Sequence, residues 1–233
     1  MDATTAVSSQ APQPGFFGKV KSHGDFVSRR LPTQFTSRWD QWLQLGMQRG
    51  QATLGSRWLA HYQACPIWRF AIGAAVCDGQ SWAGILMASA DRVGRQFPLT
   101  IAAGVAGDAP LLDWVVSAVE WYDALETCAL STRGEHFVLD DFDQILRNLP
   151  LSAERRAIAS GARRLEIDGI DDLQSLMPAL QQQIAEASLR EYTLWWTEGS
   201  QYVAPSLLVC LGLPSASQFM AMLSGQWDIG GWR

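Results

Sequence analysis

Lysine is almost missing from this chain: Lys19 and Lys21 are the only two among 233 residues. Neither lies in a G-x-x-x-x-G-K-[ST] loop, and no G-x-G-x-x-G is present, so no recognisable phosphate cradle for a nucleotide cofactor exists. Histidine is nearly as scarce, with His23, His61 and His136 alone. There is no HExxH, no CxxC and no EF-hand loop, which leaves metal catalysis without support. The four cysteines, Cys65, Cys77, Cys128 and Cys210, are scattered. That spacing excludes a disulfide framework and is expected of buried thiols in the cytoplasm. No apolar run approaches the roughly 18 residues of a membrane span, so direct membrane insertion is not expected. The N-terminus has neither the basic nor the apolar region of a signal peptide.

What is present is globular: 48% hydrophobic, 18% charged, with 11 tryptophans that must be buried or sit at an interface. A domain of this length buries about 70% of its unfolded surface and requires no staple. The net charge is −5, which gives no footprint for nucleic acid. The charge is uneven. Residues 1–117 carry ten Lys and Arg against seven Asp and Glu, and residues 118–233 carry eight against sixteen. The acidic half can steer a basic partner, or it is an ordinary solvated surface.

Residues 1–14 are Ala, Thr, Ser, Gln and Pro with one acid and read as a disordered lead. A short strand is expected at 15–20, then a turn at Ser22-His23-Gly24-Asp25-Phe26. Leu31-Pro32 opens a helix whose Phe35, Trp39, Trp42, Leu43, Gly46 and Met47 share one face. Residues 67–76 and 82–88 form a hairpin around Asp78-Gly79. Residues 97–105 are a nearly continuous apolar strand. Asp108 and Pro110 open a helix carrying Leu111, Leu112, Val115, Val116, Val119, Tyr122 and Leu125. Residues 131–170 are polar, with one or two short helices and a short strand at 164–167. Another helix follows Asp171, with Leu173, Leu176, Met177, Leu180 and Ile184 on its apolar face. Strands at 192–197 and 207–211, the second read as buried, precede a helix at 214–223. Interleaved strands and helices with uniformly apolar strands predict a mixed sheet covered by helices on both faces.

Two segments bear on chemistry. His23 beside Asp25 has the types of an oriented imidazole, but Ser89 lacks the G-x-S-x-G context of a nucleophile. Asp91, Arg92, Gly94 and Arg95 lie between two strands, where arginines and a glycine either cradle a phosphate or pair with a carboxylate around a turn. No complete catalytic set emerges and no cofactor is expected. The alternative is a small hydrolase using His23, Asp25, Asp91 and Arg95. Arg95, bracketed by Gly94 and a buried strand, is expected to be structural, with Arg92 more exposed.

The motifs Gly15-Phe16-Phe17-Gly18-Lys19, Ser22-His23-Gly24-Asp25-Phe26-Val27 and Trp39-Asp40-Gln41-Trp42-Leu43 resemble the opening of the TagF family, accessory proteins of bacterial type VI secretion. Pro66-Ile67-Trp68-Arg69-Phe70, Trp82-Ala83-Gly84-Ile85-Leu86-Met87 and Ser89-x-Asp91-Arg92-x-Gly94-Arg95-x-Phe97-Pro98-Leu99 are similar to the same pattern. So are Trp195-Trp196-Thr197-x-Gly199-Ser200 and Gly212-Leu213-Pro214, followed by Phe219. Lys21 and Ala88 depart from it, standing where proline is expected. The resemblance implies a three-layer α/β/α sandwich and one TagF-like domain over 15–233. It also implies a cytoplasmic, non-enzymatic regulator that represses secretion after translation by binding a forkhead-associated scaffold protein of the apparatus. His23, Gly24, Asp25, Asp91, Arg92, Gly94 and Arg95 are the candidate interaction residues.

Overall fold

A computed structural model describes residues 11–106, 109, 111–151, 185 and 189–232. The expected strand at 164–167, the helix after Asp171, and the helix-opening Asp108 and Pro110 lie outside them, as do residues 1–10 of the expected lead. Residues 11–14 are placed: the Pro12 carbonyl accepts from the Leu151 amide at 2.9 Å, and the Pro14 carbonyl accepts from the Arg30 guanidinium.

Seven strands form one sheet in the order β2-β1-β5-β4-β3-β6-β7. They are β1 (Gly15–Gly18), β2 (Val27–Arg29), β3 (Trp68–Ile72), β4 (Gln80–Met87), β5 (Leu99–Ala106), β6 (Tyr192–Thr197) and β7 (Ser206–Leu211). The expected helical layers are there. On one face lie α1 (Thr33–Leu54), α2 (Trp58–Gln63) and α6 (Ala216–Ser224), with the short α7 (Trp227–Gly230) packed on α6. On the other lie α3 (Leu111–Ser117), α4 (Val119–Ser131) and α5 (Leu139–Arg147).

The sheet differs from expectation in direction: every pairing among the described residues is antiparallel, not mixed. Parallel neighbours need a crossover of a dozen residues or more. The links β1–β2, β3–β4, β4–β5 and β6–β7 are too short for one. The stretch read as one helix from 111 is also two, broken at Ala118. The break turns Tyr122, Leu125, Cys128 and Ala129 to the sheet and leaves Val116 and Val119 exposed. β7 is not the fully buried strand expected from its sequence: Leu208 and Cys210 are buried while Leu207, Val209 and Leu211 are exposed. As an edge strand, β7 has one covered face among the described residues.

The core on the α1 side is aromatic. Trp39, Trp42, Trp68, Trp82 and Trp195 are buried as expected, and Trp196 is half-buried. Burying an indole strands its N–H unless it finds an acceptor. Each of these five does: Trp39 donates to Thr100 Oγ1 (2.8 Å), Trp42 to the Pro214 carbonyl (2.7 Å), Trp68 to the Met222 carbonyl (3.3 Å), Trp82 to Asp78 Oδ1 (2.8 Å) and Trp195 to Thr193 Oγ1 (2.9 Å), whereas the buried Trp114 N–H on the other face of the sheet has no partner among the described residues. Trp39 also packs against the rings of Phe35, Trp42, Phe70 and Trp195. Glycine makes the helix layer close enough: a Cβ at Gly46 would meet the Phe219 ring at 2.4 Å. On the opposite face, Arg69 of β3 reaches up to Asp123 and Glu126 of α4, both at 2.6 Å, and so anchors that helix.

Trp39→Ala removes the most connected of these rings and orphans Thr100. We expect it to cost about 3–5 kcal/mol, read as a lowered denaturation midpoint at unchanged m-value. Gly46→Ala is also expected to destabilise, although alanine is the better helix former by about 1 kcal/mol.

Candidate functional site

The two segments singled out in the sequence meet at one end of the sheet. The chain leaves β1 through Lys19-Val20, turns back over 21–26 and enters β2. The His23 amide closes this turn on the Val20 carbonyl at 3.1 Å. Between β4 and β5 the chain makes a second tight loop, in which the Asp91 amide donates to the Arg95 carbonyl (3.1 Å) and the Gly94 amide to the Asp91 carbonyl (3.0 Å). Gly94 has φ +85°, a conformation that a side chain resists.

Asp91 organises both. Its side chain has no exposed surface. Oδ1 accepts from the amides of Val93 (3.1 Å) and Arg95 (2.9 Å); Oδ2 accepts from Lys19 Nζ (3.0 Å) and Arg95 Nε (2.6 Å). Desolvation by itself raises a carboxyl pKa. Here the Arg95 amide, the Lys19 ammonium and the Arg95 guanidinium outweigh it and hold Asp91 well below the usual carboxylate range. The loops are then stitched together. The Arg92 amide donates to the His23 carbonyl (2.9 Å), Arg95 Nη2 to the Gly24 carbonyl (2.5 Å), and Ser89 Oγ to the Lys19 carbonyl (2.7 Å). Tyr62 braces the base, donating to the Ser89 carbonyl at 2.9 Å and accepting from its amide at 3.1 Å.

Arg95 plays the expected structural part, through Asp91 and Gly24, although its side chain is 62% exposed. The exposed Arg92 guanidinium has no hydrogen-bond or ion-pair partner among the described residues, and a Cβ at Gly24 would stand 3.5 Å from its Nη2. His23 and Asp25 do not engage each other. The His23 ring bonds Ser22 Oγ at 2.8 Å, and Asp25 Oδ1 accepts from the Phe26 amide at 2.8 Å, capping its own turn. The structure thus joins His23, Gly24, Arg92 and Arg95 around a sequestered Asp91 and leaves Asp25 at the rim. Among the described residues His23 has no carboxylate to orient it and both Asp91 oxygens are engaged, so the four residues of the hydrolase alternative do not converge on a reacting atom.

Sequence reasoning missed three contributors. Lys19 supplies the buried cation, and its rarity in this chain was the available signal. Phe26, 43% exposed, stacks on Phe17 (centroids 5.6 Å apart), meets Phe97 edge-on and lies 5.2 Å from the Lys19 ammonium. Val93 projects from the second loop with 69% of its surface exposed. Phe26, Val93 and Arg92 give the two loops exposed apolar and cationic side chains on a braced frame that the buried Lys19 helps to hold. Among the described residues no group of three His, Cys, Asp or Glu side chains is placed to hold a metal ion. None of the described helices is long and apolar enough to cross a membrane.

Residues 15–149, which hold both loops, match the model of the TagF N-terminal domain, described as type VI secretion system-associated. The chain belongs to the TagF family. The three-layer fold is similar to the crystal structure of PA0076 from Pseudomonas aeruginosa PAO1, at 35% sequence identity and a TM-score of 0.79. The likeness covers 91% of this chain and 94% of that one. No curated protein matches. This TagF-family chain keeps the quoted motifs in structural roles: Lys19 and Asp91 pair, and Trp39 and Trp42 are core.

Asp91 carries the pH prediction. Because its folded-state pKa is depressed, its contribution is fully present above the ordinary aspartate value of about 4 and is lost as pH falls through the folded value. The Tm gap between the wild type and Asp91→Asn is expected to be largest at neutral pH and to narrow below about pH 4. Arg95→Ala is expected to lower stability by about 1 kcal/mol, whereas Arg92→Ala leaves the midpoint unchanged.

Proposed function

We propose that this TagF-family protein is a cytoplasmic, non-enzymatic repressor of type VI secretion that acts after translation by occupying a forkhead-associated scaffold protein of the apparatus. The observation that carries the reading is that the two stitched loops present Phe26, Arg92 and Val93 to solvent on a rigid backing, with the Arg92 guanidinium unpaired among the described residues. Interface hot spots favour arginine and aromatic side chains on preorganised supports. A catalytic centre instead needs free titratable groups in reach of a nucleophile, and here the buried carboxylate is fully engaged. His23, Gly24, Asp25, Asp91, Gly94 and Arg95 hold this face in shape, and Arg92 is its anchor. Residues 15–233 act in this reading as one domain, a view supported by the entry of β6 and β7 into the same sheet as β1–β5.

Overproduction in the source bacterium is expected to silence secretion without lowering transcripts of the apparatus, and the tagged protein should retain the scaffold in pull-downs. The double variant Arg92→Ala/Val93→Asp should weaken that binding about tenfold or more with an unchanged Tm, and secretion should return. Wild-type affinity in the folded double variant would remove this face from the interface. Repression by wild type without capture of the scaffold would defeat the choice of partner.

A further inference from the structure

A pocket of about 230 Å³ opens where the two helical layers meet at the end of β4. Its walls come from four places in the chain. Lys21 comes from the first turn, Tyr62 and Gln63 from the end of α2, residues 88–90 and Gln96 from the base of the Asp91 loop, and Thr132 and Arg133 from the end of α4. Its charge is one-sided. Lys21 and Arg133 both line it, and among the described residues no Asp or Glu does. This is unusual in a chain where acids outnumber bases by 23 to 18. The other cations around it are spent: Lys19 and Arg95 on Asp91, Arg69 on Asp123 and Glu126. The side chains of Lys21 and Arg133 have no hydrogen-bond or ion-pair partner among the described residues. Uncharged polar side chains, Ser89, Thr132, Gln63 and Gln96, complete the lining.

We infer that this pocket binds a small phosphomonoester through Lys21 and Arg133. Two monovalent cations match the dianionic phosphoryl group better than a single carboxylate, and guanidinium is suited to gripping its oxygens in pairs. The volume decides the size. Pockets for drug-sized ligands run to about 300–1,000 Å³, so this one matches a phosphoryl group with a short organic stem, and anything larger would extend out of its open mouth. The site is separate from the docking face, and its occupancy can be measured with no partner present.

The test is a titration of the isotope-labelled full chain by NMR. The probes are inorganic phosphate, glycerol 3-phosphate, acetate and a blocked phosphoserine tripeptide. Saturable shifts with glycerol 3-phosphate, centred on residues 88–90 and 132–133, are expected, with inorganic phosphate weaker and acetate inert. The variants Lys21→Ala and Arg133→Ala should each lose about tenfold in affinity, while Lys21→Arg retains binding. Both cations lie on the surface, so melting temperatures should not move. Absence of saturable shifts, equal binding in a folded Lys21→Ala/Arg133→Ala double variant, or equal affinity for acetate would each overturn the assignment. Binding of the phosphoserine tripeptide in preference to glycerol 3-phosphate would also overturn it, in favour of a phosphorylated protein segment.

Discussion

A carboxylate with no solvent-exposed surface sits at the junction of two loops, and most of the local geometry depends on it. Asp91 accepts four hydrogen bonds, two from backbone amides of its own loop, one from Arg95 and one from Lys19 at the end of β1. A buried carboxylate is tolerated only when its lone pairs are filled and its charge is matched. Once that condition is met, the loop backbone, the Lys19 side chain and the Arg95 side chain are each restricted to one arrangement. Arg95 reaches Gly24 from the same position that lets it reach Asp91, so the first turn is fixed by the second.

The aromatic core supplies the frame on which this junction rests. α1 lies across the sheet with Trp39 and Trp42 against Trp195 and Phe70, and the indole N–H groups of Trp39 and Trp42 find oxygen acceptors on β5 and on the chain just before α6. These directional bonds do what apolar packing alone does not: they set the rotation of the helix as well as its distance. Tyr62 extends the same frame to the loops through its two bonds to Ser89, and Ser89 in turn holds the Lys19 carbonyl. Burial raises the Tyr62 pKa far above the ordinary tyrosine range and keeps it a neutral donor and acceptor there.

The frame ends in a surface next to the two loops. The exposed surface at this end carries Phe26, Arg92 and Val93, and membership of the TagF family places the protein in the setting of type VI secretion. The pocket lined by Lys21 and Arg133 lies behind the same loop, since Ala90 and Gln96 form the bridge that closes it.

Local pattern was enough to determine several elements. The spacing of Phe35, Trp39, Trp42, Leu43, Gly46 and Met47 marked the buried face of α1, and Asp78-Gly79 marked the turn before β4. The alternation of strands and helices marked the layers, because burial periodicity is written into consecutive residues. The motifs Ser22–Val27 and Ser89–Leu99 also marked the segments of the candidate site, and the type of residue next to Gly94 separated Arg95 from Arg92. Tertiary structure alone decided the partners. Lys19 and Asp91 are 72 residues apart, and nothing in either local sequence encodes their pairing. Strand direction, the break at Ala118 and the open face of β7 belong to the same class. Periodicity states that a face is buried, and only the packed chain states against what. The His23 and Asp25 side chains show the limit most directly: two residues apart in sequence, they are parted by a turn in which each satisfies a neighbour of its own.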